Sequence, residues 1–186
     1  MDFYVDVPGI DTVITDNFYG TFLLTDHLVE NGHRNIGFVG NIHATSSIQD
    51  RFLGYMKSLI ANNLSYRPDW TVSDRLLSGE NIDLELPEEL PTAFVCNCDE
   101  TAYRLVRSLA QRGLRVPDDI SVVGFDNYML SGICDPPITT VEVDVKSMAR
   151  EGVSMLLKKI ADPSCRTGVK PVSGRLVVKE SVKKLN

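Results

Sequence analysis

The sequence predicts an α/β fold with parallel sheets, and three observations carry that prediction. Short apolar strands alternate with amphipathic helices along most of the chain. Two strands, NIGFVG at Asn35–Gly40 and ISVVGF at Ile120–Phe125, are apolar without alternation, as strands buried on both faces are. The helical stretches place apolar residues three and four apart.

Thr12–Asp16 is β-branched and ends at Asp16-Asn17, a good helix-capping pair. Phe18, Phe22, Thr25 and Val29, flanked by Leu24 and Leu28, keep helical spacing up to Asn31-Gly32, where Gly32 can take the left-handed stop. After the strand at Asn35–Gly40, a second helix has the stripe Ile48, Phe52, Tyr55, Met56, Leu59 and Ile60. The pattern weakens from Asn62 to Pro91, with Trp70–Asp74 a candidate strand and Glu80–Leu90 expected to be irregular. Thr92–Asn97 is a strand, and Asp99 opens a helix whose stripe is Ala102, Leu105, Val106, Leu109 and Ala110, ended by Gly113. Pro117-Asp118-Asp119 turns the chain into Ile120–Phe125. The loop Asp126–Pro137 leads to a strand at Thr139–Val143. A last helix carries Val145, Met148, Ala149, Gly152, Val153, Leu156, Leu157 and Ile160. Asp162–Gly168 is a polar linker before a final strand at Arg175–Val178.

The 186 residues amount to one ordinary domain or two small lobes. No apolar run reaches the ~20 residues of a membrane span, and no leader sequence is expected from the Met-Asp-Phe-Tyr start. A net charge of −6 gives no field that favours phosphate, which argues against nucleic-acid binding by these residues. Cys96, Cys98, Cys134 and Cys165 lack zinc-finger spacing and are read as reduced thiols, so no metal or other cofactor is expected.

Nucleophile elbows, phosphate loops and H-E-x-x-H patterns are missing. His33 is read as structural. Open α/β sheets bind ligands beyond the carboxyl ends of their strands. That rule alone selects Asp16-Asn17, Asn41–Ser47, Cys98-Asp99 and Asp126-Asn127.

Several ordered stretches resemble the effector-binding core of the LacI/GalR family of bacterial transcription regulators. They are the helix start at Asp16–Gly20, LVENGHRNIGFVG (Leu28–Gly40), Ser47 followed by Arg51-Phe52-Leu53-Gly54-Tyr55, PTAFVCNCDETA (Pro91–Ala102), GLRVPDDISVVGFDN (Gly113–Asn127), PPITTVEVD (Pro136–Asp144) and LVVKES (Leu176–Ser181). The resemblance implies a fold like that of periplasmic binding proteins: two doubly wound parallel-sheet lobes, a cleft between them and three crossovers. On that expectation residues 1–41 and 138–163 form the first lobe, and residues 42–137 and 164–186 the second. Family members start with a helix-turn-helix headpiece and several βα units ahead of a strand like Thr12–Asp16. The expected first lobe is therefore truncated here, and DNA binding belongs to a segment outside these residues.

The resemblance also assigns roles. Arg51 would hold sugar hydroxyls or a carboxylate with its planar fork. Asp126, at the end of an apolar strand, would accept ligand hydroxyls. Ser47 is either a ligand contact or a plain helix cap. Asp99 is a helix-capping candidate or a ligand contact. Cys98 stands where the family usually has a ligand-binding Asn, with Asn97 beside it as a substitute. The family's stacking aromatic would fall near Arg75, with Trp70 close by. The implied function is effector sensing in a cytoplasmic, dimeric repressor-type regulator that catalyses nothing and touches no membrane. Its effector would be sugar-like, and operator DNA would be reached only through the absent headpiece. Two rivals stand beside it: a sugar-binding transport protein of similar fold, and an α/β sugar or nucleoside hydrolase using Asp99 or Asp126.

Overall fold

The computed structural model describes residues 7 and 9–185. Residues 1–6, 8 and 186, at the ends of the two expected lobes, lie outside the described residues. The elements alternate as expected: β1 (Thr12–Thr15), α1 (Asn17–Glu30), β2 (Ile36–Val39), α2 (Ser46–Ala61), a 3-10 turn (Pro68–Trp70), β3 (Thr71–Val72), β4 (Ala93–Cys96), α3 (Asp99–Gln111) and β5 (Ser121–Val123). Then come α4 (Met129–Ile133), β6 (Thr140–Glu142), α5 (Val145–Ala161), β7 (Val169–Val172) and β8 (Arg175–Val177). Asp16 caps α1 by accepting from the Tyr19 N–H at 3.0 Å, and Gly32 follows the helix at φ +92°.

Strands β3-β2-β4-β5 form one parallel sheet in that order. Alternation along β4 explains its two-sided burial. Ala93 and Val95 join Leu24, Phe38, Tyr55 and Leu59 in the core under α1 and α2, while Phe94 and Cys96 join Leu105, Leu109 and Val122 under α3. Each such large side chain contributes roughly 1.5–3 kcal/mol by leaving water.

The stripe of α1 is as expected at Leu24, Thr25, Leu28 and Val29 and differs at its start. Its buried face is Asn17, Gly20, Thr21, Leu24, Thr25, Leu28 and Val29, and Phe18 is exposed. Small residues win because α1 lies tightly on α2: a Cβ on Gly54 would collide with the Phe18 carbonyl. Ile60 of α2, expected in its stripe, is likewise exposed. Trp70–Asp74 resolves into the 3-10 turn and the two-residue β3. Helix α4 interrupts the expected loop, and β7 lies in a stretch that was not read as a strand.

The expected lobe boundaries also move. The break at residue 41 would cut between strands of one sheet, since β2 sits between β3 and β4, and α1 shares the core of Phe38 and Tyr55. The chain enters this sheet unit right after β1. Residues 169–172, assigned to the second lobe, pair in parallel with β1 as Thr12↔Val169 through Thr15↔Val172. Between the β1–β7 pair, against which α5 packs, and the four-stranded sheet the chain passes three times. The passes lie together: the Asp16 N–H donates to the Val172 carbonyl at 2.8 Å, and β6 pairs antiparallel with β8.

Candidate functional site

The carboxyl ends of β2, β3, β4 and β5 deliver Asn41, Asp74-Arg75, Asn97-Cys98 and Asp126 to one edge of the sheet. The first residue of α1 and the second turn of α2 add Asn17 and Arg51 there. Arg51 is 5% exposed. Its Nε donates to Asn17 Oδ1 at 2.8 Å, Nη1 to the Asn97 carbonyl at 2.5 Å and Nη2 to Asp126 Oδ1 at 3.3 Å. The guanidinium lies 4.0 Å from the centre of the Phe125 ring. Gly20 makes that ring's position possible, because a Cβ there would sit 2.7 Å from it. The Arg51 cation is therefore part of the buried interior, and all three of its nitrogens are engaged by protein.

Asp126 is the exposed half of the pair, with 36% of its side chain accessible. It adopts φ +108°, and Asn127 follows at +53°. A non-glycine backbone in this region costs of order 1–3 kcal/mol and persists only when its surroundings fix it. Here the Asp126 N–H donates to the Val141 carbonyl at 2.9 Å, the Asn127 N–H to Thr140 Oγ1 at 3.3 Å, and the Tyr128 N–H to Asp99 Oδ2 at 2.7 Å.

Asp99 is thus a holder of this loop. It is fully buried, accepts also from Thr140 Oγ1 at 2.7 Å, and burial raises its pKa. It is the first residue inside α3, and Cys98 occupies the cap position without a capping side-chain bond, which corrects the expected cap at Asp99. Thr45 caps α2, accepting from the Ile48 N–H at 3.2 Å, so Ser47 lies buried inside the helix instead of at its cap.

Asn97 is central and 2% exposed. Its amide donates to Asp74 Oδ2 at 2.8 Å and to the Val39 carbonyl at 3.1 Å. Cys98 Sγ lies 3.3 Å from Thr101 Oγ1 and 3.8 Å from Arg75 Nη2. Asp74, which sequence reasoning passed over, is fully buried and accepts from the Asn41 N–H (3.0 Å), Thr101 Oγ1 (2.7 Å), Arg75 Nη2 (2.8 Å) and Arg75 Nε (3.0 Å). Burial pushes its pKa up, but these donors outweigh that and hold it at about 2. Applying the strand-end rule to the weak strand β3 would have found it. Trp70 is buried, its indole donating to the Glu89 carbonyl at 2.9 Å, and belongs to the core.

The structure therefore brings Arg51, Asn97, Cys98 and Asp126 to one locus, with Asp99 beneath the loop and Ser47 one helical turn before Arg51. Asp126 and Tyr128 also line a cavity of about 1050 Å³, whose other walls include Thr15, Val143, Met148 and Lys159. That is the size of a small-molecule site. Among the described residues no cluster of His, Cys, Asp and Glu could hold a metal, and no helix is long and apolar enough to cross a membrane.

Residues 25–182 match the family model of the periplasmic binding protein-like domain. The chain is 33% identical, over its whole length, to the HTH-type transcriptional repressor PurR of Aliivibrio salmonicida, and spans 57% of that repressor. A transcriptional regulator CelR–cellobiose complex superposes with a TM-score of 0.81 at 25% identity, over 95% of this chain and 56% of that one. A LacI-type transcription regulator from Bifidobacterium animalis subsp. lactis superposes with a TM-score of 0.77 at 28% identity, over 93% and 67%. The chain belongs to the periplasmic binding protein-like domain family, in the form found in LacI/GalR-type regulators.

Proposed function

We propose that this domain senses a sugar-like effector for a transcriptional repressor, and that the effector docks against Asp126, which the buried Arg51 braces. One observation carries the reading: a partly exposed carboxylate is held in a strained conformation, against a buried arginine, in the lining of a ligand-sized cavity. A carboxylate braced in this way accepts two sugar hydroxyls without reorganising. The CelR relative is in complex with cellobiose, which supports a sugar.

The same loop is bonded to the Val141 carbonyl and Thr140 of β6, one of the three passes between the sheet units. A ligand that pulls on Asp126 therefore acts directly on a crossing segment. Effector binding would shift the population between two arrangements of the units, and a dimer would pass this to helix-turn-helix headpieces beyond these residues. Catalysis fits poorly: Asp126 is ion-paired, and Asp99 is enclosed with both oxygens bonded. The regulator would work in the cytoplasm, where operator DNA is.

A thermal-shift screen of this chain against a sugar library tests the reading. We expect at least one sugar to stabilise it without being turned over, and stabilisation by none would overturn the proposal. Light scattering should show a dimer, driven by the exposed Val153, Leu156, Leu157 and Ile160 of α5, and a gel shift should show no specific operator binding by this acidic chain.

A further inference from the structure

We propose that Arg75 reads an anionic group, a carboxylate or a phosphate, on the effector. The proposal rests on the reading of this cleft as an effector site and adds the effector's charge class. Two guanidinium groups converge on one residue: Arg51 Nη1 donates to the Asn97 carbonyl, and Arg75 Nη2 approaches the Asn97 side-chain oxygen at 3.5 Å. They are not equivalent. Arg51 is enclosed, whereas Arg75 keeps 20% of its side chain accessible at the open end of the sheet.

Arg75 is also fixed in place. Asn41 Nδ2 donates to its carbonyl at 2.9 Å, and its backbone bridges to Asn81. Its Nε and Nη2 grip the buried Asp74 at 3.0 and 2.8 Å. That edge of the guanidinium is enough to neutralise Asp74. The opposite edge is what an incoming oxyanion would meet: Nη1 makes no hydrogen bond among the described residues, and the second Nη2 hydrogen has only the long contacts to Asn97 Oδ1 at 3.5 Å and Cys98 Sγ at 3.8 Å, which an oxyanion would replace. A guanidinium offers two such edges, each matched to a planar or tetrahedral oxyanion. The Arg75–Asp74 pair has no net charge, so an oxyanion would be held by the directed N–H donors of the outer edge and not by a free positive charge. The fork is therefore preorganised, and its rotamer entropy is already spent before a ligand arrives.

The test is a titration of the isotope-labelled chain with inorganic phosphate and, separately, with acetate at constant ionic strength. It follows the Arg75 Nε–H and Asn97 side-chain amide signals by NMR. We expect a saturable millimolar shift at both signals, weakened about tenfold or more in Arg75→Gln and weakened also in Arg75→Lys, whose single ammonium is taken by Asp74 and offers no second edge. Tighter phosphate binding points to a phosphate ester, tighter acetate binding to a carboxylate. The unsubstituted chain decides the matter even if a variant unfolds: no saturable shift with either anion overturns the proposal, as does equal affinity in a folded Arg75→Gln. A chain that ignores both anions yet loses sugar binding on Asp126→Asn overturns only this inference. Anion binding at Arg75 with sugar binding unchanged by Asp126→Asn supports the anion fork and overturns the sugar cleft.

Discussion

The four-stranded sheet is covered on both faces, by α1 and α2 on one and α3 on the other, and its central residues Phe38, Phe94, Val95 and Val122 have no exposure. The β1–β7 pair is different. Helix α5 lies against it, yet Met155 is the helix's sole buried residue, and Val145, Leu156, Leu157 and Ile160 stand open. Both regions carry the apolar spacing of core helices. The contrast teaches that amphipathic pattern specifies an element and its sticky face, while the covering of that face depends on chain or partner beyond the element.

Stability measurements can break this contrast. The largest expected effect is in the closed sheet: Phe94→Ala should cost about 3–5 kcal/mol in denaturant unfolding. A loss near zero would mean the sheet core is not what holds the molecule. Next, Arg51→Ala should cost about 2–3 kcal/mol, because the Asn97 carbonyl and Asn17 lose a charged donor in a buried setting.

The third effect is pH-dependent. Asp74 has its folded-state pKa held at about 2, below the usual 3.8. Its network therefore stabilises the fold fully above pH ~4, and the contribution, about 2 kcal/mol, is lost as pH falls from ~4 towards ~2. Asp99 has the opposite sign: its raised pKa means that its protonation is favoured by the fold, so it offsets part of the acid loss. Asp74→Asn should flatten the acid limb of the stability profile, and an unchanged limb would remove Asp74 from the account. The smallest effect belongs to the open region: at concentrations low enough for the chain to be monomeric, Leu157→Ala on α5 should change stability by less than about 0.5 kcal/mol. A core-sized loss there would show that the face is covered in solution.

How much was legible follows the same division. TAFVCN and ISVVGF announced β4 and β5 because strands buried on both faces are apolar throughout. Val169–Val172 gave no such signal: it is an exposed edge containing Lys170 and Pro171, and only pairing with β1 makes it a strand. The lobe boundary went wrong because consecutive βα units look alike in sequence, and only pairing shows that β2 sits among β3 and β4. In α1, Leu24, Thr25, Leu28 and Val29 pack inward as expected, but Thr21 is buried and Phe18 faces out, so hydropathy misplaced the start of the stripe. The strand-end rule and the family resemblance both pointed to Asp126, and the resemblance alone to Arg51; the structure pairs the two side chains at 3.3 Å. Asp74 and Arg75 were harder: the candidate strand Trp70–Asp74 has too little pattern to stand out, although the strand-end rule applied to it reaches both residues.

The central claim is that Asp126, braced by Arg51, receives the effector. The most direct measurement is calorimetric titration of the unsubstituted chain and of Asp126→Asn with the sugar that stabilises the chain most strongly. Asn at this exposed position keeps the shape of the side chain and removes its charge. The account predicts binding weakened about tenfold or more, from the loss of charge-assisted hydrogen bonds, in a chain that still folds but melts at a lower temperature because the buried Arg51 loses its counter-ion. Equal affinity in the two proteins would contradict it.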